Sequence, residues 1–358
     1  MTHEVLPNGS VIGILGGGQL GRMLAMAAAR LGYKVRIFEP SAQAPAGDVA
    51  ISVTQAGYDD HEALKAFALS CDVLTFEFEN IPSAALALLE DTRPLFPART
   101  ALEVSQDRLV EKDFLNSLGL KTAPYCAIDA AEGVAQALEK TGCPAILKTR
   151  RFGYDGKGQA RVMAASEADA AYASLNGAPA ISEGFVKFSR EVSVIIARGR
   201  DGRVSAYDPG ENIHRDGILA TTTVPADLPA MLRADAVLLA SKIVTALDYV
   251  GVMGVELFVT PEGLVVNEIA PRVHNSGHWT QAGCPVDQFE QHIRAITGWP
   301  LGDGSRHANV VMENLIGDDV ARAAEMAETK GVQIHLYGKV ETRAGRKMGH
   351  INQVTGAA

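Results

Sequence analysis

At 358 residues the chain exceeds what one compact core usually holds, which predicts two or three domains sharing a cleft. Its 47% hydrophobic and 21% charged residues are ordinary for a globular protein and exclude wholesale disorder. A formal net charge of -9 argues against a general nucleic-acid or membrane-surface binder, yet leaves room for a local basic patch around a small phosphorylated ligand.

The cysteines Cys71, Cys126, Cys143 and Cys284 are dispersed and form no C-x-x-C pair, so neither a zinc ribbon nor a disulfide scaffold is expected. The opening MTHEVLPNGS has no basic flank or apolar run of a signal peptide, and no charge-free apolar stretch is long enough to span a bilayer. A soluble, cytoplasmic protein is the expectation.

In chain order, the apolar run Val11–Leu15 predicts a strand, GGGQLG a turn, MLAMAAARLG a helix closed by Gly32, and YKVRIF a second strand. That is a βαβ unit. Strands at Val73–Phe78 and around Leu95–Phe96, with a helix near Ala84–Leu89, continue a parallel sheet covered by helices. DRLVEKDFLNSLG predicts a helix ending at Gly119, followed by a strand at Ala145–Lys148. Hairpins then replace the alternation: Val192–Ala197 and Val204–Tyr207 flank GRDG, and Gly254–Val259 and Leu264–Ile269 flank TPEG.

Gly16, Gly18 and Gly21 satisfy G-x-G-x-x-G between a strand and a helix, and Glu39 lies where a ribose-binding acid would sit. Alone, this pattern fits a dinucleotide-binding oxidoreductase, another anionic ligand at a helix end, or tight packing. A second glycine-rich segment, Arg151–Gln159, places Gly153, Gly156 and Gly158 beside Lys148 and Lys157, a backbone and charge suited to phosphates. It lacks the GK[ST] ending of a Walker A loop. Glu256 and Glu268 lie on two arms of one hairpin. A three-residue loop would make them cross-strand partners, whereas a two-residue loop would oppose Glu256 to Asn267 and turn Glu268 away. Paired acids facing a triphosphate would suit magnesium.

The segments GILGGGQLGRM, TFEFENIP, QDRLVEK, LKTRRFGYDGKGQ, EGFVKFSREVSV, YDPGENIHRDGIL, NEIAPRVHNSGHWTQ and YGKVETRAGRKMGH together cover nearly the whole chain. In that order they resemble the ATP-grasp superfamily and, within it, the N5-carboxyaminoimidazole ribonucleotide synthetase family of purine biosynthesis. The resemblance implies an α/β and α+β architecture: a Rossmann-like parallel-sheet domain at 1–107, an ATP-grasp domain with a glycine-loop lid at 108–298, and a small C-terminal substrate-binding region at 299–358. It implies an ATP-dependent ligase that uses magnesium and bicarbonate to carboxylate 5-aminoimidazole ribonucleotide through carboxyphosphate, working as a homodimer.

By the same resemblance, Arg108 and Lys148 would contact ATP phosphates, and Gly153, Tyr154, Asp155, Gly156, Lys157, Gly158 and Gln159 would close over them. Glu183, Gly184, Phe185 and Val186 would meet adenine, Glu191 the ribose, and His214 a further part of the nucleotide. Asn267 would join Glu256 and Glu268 near magnesium. Arg272 and His274 are the candidates for the bicarbonate end, with Tyr154 and Asp155 closing over the same place; paired donors on arginine and a histidine near neutral pH suit an oxyanion. The ribotide would take Lys339, Arg346 and Lys347 at its phosphate and Gln19, Leu20, Glu79 and Asn275 elsewhere. The formate-dependent glycinamide ribonucleotide formyltransferases are the nearest rival, but they carry an acid in place of Gln19 and HDTG in place of His274–Gly277. A biotin carboxylase would be longer.

Overall fold

The computed structural model describes residues 4–153 and 156–358. Its first unit is a parallel sheet of β1 (Val11–Leu15), β2 (Lys34–Phe38), β3 (Ser52–Thr54) and β4 (Val73–Phe76), in the order β3-β2-β1-β4. Helix α1 (Gln19–Arg30) connects β1 to β2, and the chain leaves it through Gly32 at φ +80°, a conformation that glycine adopts without strain. The strand expected around Leu95–Phe96 reduces to one parallel bridge, Leu74 to Leu95. Pro94 and Pro97 flank this stretch and supply no N–H, which limits further pairing.

A small antiparallel sheet follows, made of β5 (Tyr125–Ile128), β6 (Ala145–Thr149), β7 (Gln159–Val162) and β8 (Ala180–Gly184) in the order β5-β8-β6-β7. Helices Val134–Thr141 and Ala168–Ser174 cover one face of it, burying Ala137, Leu138, Ala171 and Tyr172 against Leu147 and Val162.

The largest sheet contains β9 (Arg190–Arg198), β10 (Val204–Ala206), β11 (Gly210–Arg215), β12 (Ile218–Val224), β13 (Gly251–Thr260), β14 (Gly263–Ala270), β15 (Ala308–Ile316), β16 (Val332–Leu336) and β17 (Lys347–Ala357). Its order is β14-β13-β9-β11-β12-β15-β17-β16, with β10 paired to the end of β9 that β11 leaves uncovered. Residues 299–358 therefore extend the central sheet through the β12–β15 pairing. Helix Ala230–Ala246 packs on β9 and β13 through Ala236, Ala240 and Ile243, while Phe289, Ile293 and Ile296 of helix Gln288–Thr297 join the core that contains α1.

One core thus runs from the first sheet into the central one, with Ile12, Leu24 and Val35 in the same cluster as Ile195, Val252 and Trp279. His292 adds a polar tie across this junction. Its Nδ1 accepts from the Val252 N–H at 3.1 Å, so the ring proton is on Nε2, which lies 2.8 Å from Thr75 Oγ1. Burial pushes its pKa down to about 3 and keeps the ring neutral.

Gly13, in the middle of β1, is where this packing is tightest: a Cβ there would stand 2.7 Å from Leu74 Cδ2 and 2.8 Å from Cys71 Sγ. Gly13→Ala is expected to destabilise the protein by about 1–3 kcal/mol through overpacking, read as a lower denaturant midpoint at unchanged m-value.

Candidate active site

The glycine turn before α1 is filled from within the protein. Glu39 Oε2 accepts the Gly17 N–H at 2.7 Å, and the buried Glu77 accepts the N–H groups of Gly18 and, at 2.8 Å, Gly21. Glu39 also caps Ser41 N–H at 2.8 Å, so it serves the turn and is not presented to a ribose. Two carboxylates already occupy the helix end that a dinucleotide phosphate would need. Gln19 and Leu20 are the first residues of α1 beyond that turn.

Helix Arg108–Ser117 enters the cleft between the small and large sheets. Asp107 caps it by accepting from Leu109 N–H at 2.9 Å. Positions i, i+3 and i+4 of one helix share a face. Arg108, Glu111 and Lys112 stand at that spacing. Arg108 Nη1 donates to Glu268 Oε2 at 3.0 Å, Glu111 Oε1 accepts from Ile269 N–H at 2.7 Å, and Lys112 Nζ donates to the Asn267 carbonyl at 2.6 Å. On the facing sheet, Lys148 Nζ donates to Glu183 Oε2 at 2.8 Å, and Lys112 Nζ lies 3.7 Å from the other Glu183 oxygen. Burial raises the Glu183 carboxyl, but Lys148 and Lys112 outweigh it and hold it ionised. Burial pushes Glu111 up to about 8, partly offset by Lys112. Glu77, Glu111 and Lys112 were not among the residues singled out in the sequence; the i, i+3, i+4 spacing in QDRLVEK was the available signal for the last two.

The acidic hairpin resolves its register by a third route. Its loop is Pro261–Glu262, with Thr260 opposite Gly263, and this two-residue turn would put Glu256 opposite Asn267. A β-bulge between Leu257 and Glu256 inserts Asn267 as an extra residue, so that Glu256 faces Glu268 after all. Both carboxylates are now cross-strand neighbours. Burial and the adjacent Glu268 push Glu256 up to about 7, whereas Arg108 and Lys148 overcome burial to keep Glu268 low.

Around this pair, Glu191 Oε2 lies 3.0 Å from His214 Nδ1, and the His214 pKa rises because Glu191 and Glu256 outweigh its burial. His274 Nε2 lies 3.5 Å from Glu256 Oε1. Its Nδ1 accepts from the Ser276 N–H and lies 2.8 Å from Ser276 Oγ, which leaves the ring proton on Nε2, facing Glu256. Burial and the charges of Arg272 and Lys347 hold His274 neutral. Arg272 Nη2 meets Glu79 Oε1 at 3.0 Å, linking the first unit to the segment that follows the acidic hairpin.

The glycine loop is anchored at its base by Thr149 N–H donating to the Gly158 carbonyl at 2.8 Å, with Gln159 paired to Lys148. Gly156 and Gly158 have φ +76° and +70°, and a Cβ on Gly156 would stand 3.3 Å from Gly217 Cα in the β11–β12 turn. The loop therefore reaches from the small sheet to the large one. Gly153 lies near Arg108, and Lys157 is exposed; Tyr154 and Asp155 lie outside the described residues. Gly184 ends β8, followed by exposed Phe185 and half-buried Val186, at the edge of a cavity of about 710 Å³ that Pro124 and Val265 also line.

At the far end, Lys339 Nζ donates to the Lys347 carbonyl at 2.7 Å and sits over the ring of buried Tyr337. Arg346 Nη1 donates to the Glu341 carbonyl at 2.8 Å, so its guanidinium lies on the rim of this cluster. Asn275 and Asn314 exchange two amide hydrogen bonds, at 2.9 and 2.7 Å. An aspartate at 275 would lose the donor half of that exchange.

Two sheets clasping a cleft, with cations on one side and paired carboxylates on the other, define an ATP-grasp enzyme. Family models agree along the chain: a ribonucleotide synthetase preATP-grasp domain at 10–106, an ATP-grasp domain at 113–289 and a phosphoribosylaminoimidazole carboxylase C-terminal domain at 310–357. The N5-carboxyaminoimidazole ribonucleotide synthase of Brucella melitensis is 54% identical over 99% of both chains. The Staphylococcus aureus N5-carboxyaminoimidazole synthetase complexed with ADP superposes with a TM-score of 0.94 at 38% identity, covering 99% of this chain and 95% of that one. The Aspergillus clavatus synthase, in complex with ADP and 5-aminoimidazole ribonucleotide, does so with a TM-score of 0.91 at 31% identity over 98% and 94%. The chain belongs to the N5-carboxyaminoimidazole ribonucleotide synthase family.

Because Glu256 binds its proton more tightly folded, at about 7, than unfolded, at an ordinary carboxylate value of about 4.5, its ionisation costs stability as pH rises through that window. Glu256→Gln should flatten the fall of melting temperature between those pH values in ligand-free protein; an unchanged profile would place the titration elsewhere.

Proposed function

We propose that this chain carboxylates the exocyclic amine of 5-aminoimidazole ribonucleotide, using ATP and bicarbonate, to form N5-carboxyaminoimidazole ribonucleotide in de novo purine biosynthesis. It is an ATP-dependent carbon–nitrogen ligase. The observation that carries the reading is Arg108 bonded to Glu268 while Lys148 pairs with Glu183 on the facing sheet, so that cations and paired carboxylates meet in one cleft.

Bicarbonate is a weak electrophile, and transfer of the ATP γ-phosphoryl group to it forms carboxyphosphate with a good leaving group. The ribotide amine then attacks its carbon, or carbon dioxide released from it in the closed site, and phosphate departs. Lys148 and Arg108 would neutralise the phosphates, and the glycine loop would exclude water. Arg272, already in line with the metal hairpin, would hold the bicarbonate oxyanion, while neutral His274 offers its Nε2 proton beside Glu256. Glu183 to Val186 would receive adenine and Glu191 with His214 the ribose. Lys339, Arg346 and Lys347 would take the ribotide phosphate, and Gln19, Leu20, Glu79 and Asn275 the rest of that substrate.

The donor set suits magnesium. Glu256 and Glu268 offer two carboxylates and Asn267 a nearby amide, all oxygen donors, and the clash that raises Glu256 is what a cation would relieve. Among the described residues no group of three or more His, Cys, Asp or Glu could hold a metal, so phosphate oxygens would complete the shell. Bound there, magnesium would supply charge neutralisation on the transferred phosphoryl group. A homodimer is also part of this proposal. No helix among the described residues is long and apolar enough to cross a membrane, and a cytoplasmic site of action is proposed.

An ATPase assay with bicarbonate separates the alternatives: magnesium-dependent ADP release should rise with aminoimidazole ribonucleotide and not with glycinamide ribonucleotide. Hydride transfer to NAD without ATP turnover would overturn the assignment. Glu256→Gln and Glu268→Gln should each impair turnover at limiting magnesium far more than folding; near-normal rates in both would remove the metal hairpin from the scheme. Arg346→Ala should weaken ribotide binding by about 1.5–3 kcal/mol, seen by calorimetry, with a smaller effect on ATP. A large loss of ATP affinity beside unchanged ribotide affinity would move Arg346 to the nucleotide.

A further inference from the structure

Lys112 is the cation of the cleft that no step above uses. It stands one turn beyond Arg108 on the same helix, and its side chain is only 1% exposed. Its Nζ donates to the Asn267 carbonyl at 2.6 Å and lies 3.7 Å from Glu183 Oε1, a buried oxygen that accepts no hydrogen bond among the described residues. The other carboxylate oxygen, Oε2, receives Lys148 at 2.8 Å. Two ammonium groups thus face one carboxylate, each at its own oxygen. Burial lowers the Lys112 pKa and Glu183 opposes that effect; burial raises the Glu183 carboxyl, but Lys148 and Lys112 hold it below its usual range. The other charges of this wall cancel: Arg108 is bonded to Glu268, and burial pushes Glu111 up to about 8, where it keeps its proton at neutral pH. One positive charge is left in excess. It emerges at Lys148, the more exposed of the two ammonium groups at 12%. A Lys148–Glu183 pair on its own would present almost no net charge to an approaching phosphate, since opposite charges in contact cancel at a distance.

We propose that Lys112 is a positioning residue for the nucleotide: it neutralises Glu183 from behind, so that Lys148 is held in place by that carboxylate and still acts as a full cation on the ATP phosphates. The inference rests on the proposed placement of those phosphates at Lys148. It extends the nucleotide site to a buried residue that touches no substrate and acts through another. Glu183 then orients Lys148 without cancelling its charge.

The test is a double-mutant cycle of Lys112→Met, which removes the charge and keeps the length, with Glu183→Gln, which removes the opposing charge and keeps the shape. ADP is titrated calorimetrically into each folded variant at saturating magnesium. Lys112→Met should weaken ADP by about tenfold, because Glu183 then cancels Lys148. Glu183→Gln alone should bind ADP as tightly as the wild type or more so. The decisive measurement is the double variant, in which Lys148 again stands as an uncancelled cation and ADP affinity should return to within about threefold of the wild type. A role confined to holding the Asn267 carbonyl predicts the opposite: Glu183→Gln could not repair that loss, and the double variant would bind as weakly as Lys112→Met or worse. That result, or unchanged ADP affinity in Lys112→Met, would overturn the proposal. If Lys112→Met does not fold, Glu183→Gln decides alone: ADP weakened by tenfold in that variant sinks the idea. Failure of the wild type to bind ADP would instead remove the nucleotide from Lys148, and this inference with it.

Discussion

The carbonyl of Asn267 accepts a hydrogen bond from Lys112, a buried ammonium on a helix of the opposite wall, and the cleft is organised around that contact. Asn267 is the extra residue of a bulge, and an extra residue leaves a backbone carbonyl outside the regular ladder. Lys112 satisfies it at 2.6 Å and lies 3.7 Å from Glu183, which also receives Lys148. One cation therefore fixes the register of the acidic hairpin and the position of the carboxylate that receives Lys148. Removing a partner from such a buried set leaves an uncompensated charge, at a cost of about 3–5 kcal/mol.

The same economy of charge runs through the site. Glu268 stays ionised because Arg108 and Lys148 face it, while Glu256, one strand away, is pushed up because Glu268 is already charged. At the start of α1, Glu39 accepts the Gly17 N–H and Glu77 those of Gly18 and Gly21, so acids and backbone donors are matched there as well. The net charge of -9 is compatible with phosphorylated ligands because the positive groups are gathered locally.

Much of the fold was legible because its signals are local. The run Val11–Leu15, the glycine turn and Gly32 delimit a βαβ unit by themselves, and GRDG and TPEG mark the hairpins. Leu95–Phe96 misled because apolar composition says nothing of missing N–H donors on both sides. The hairpin register could not be read because loop length and bulge act in opposite directions, and the bulge is held by Lys112, 155 positions away. The G-x-G-x-x-G pattern was visible, but the carboxylates that fill it come from β2 and β4. Pairings of that kind reside in the topology, so sequence reading found the cationic and acidic motifs and missed Glu77, Glu111 and Lys112, which hold them.

The pairing of β12 with β15 makes the strands after residue 299 part of the same sheet as the hairpin carrying Glu256 and Glu268. One continuous ladder of strands therefore joins Lys347, the first residue of β17, to the hairpin that carries Glu256 and Glu268. The pairing also forbids treating the C-terminal strands as an exchangeable module. A chain cut before β15 would leave β12 as a bare edge, its Thr221–Val224 amides and carbonyls open to pairing with any other strand. Nascent protein passes through that state until its final strands are made, and during that interval self-association is the hazard this architecture accepts.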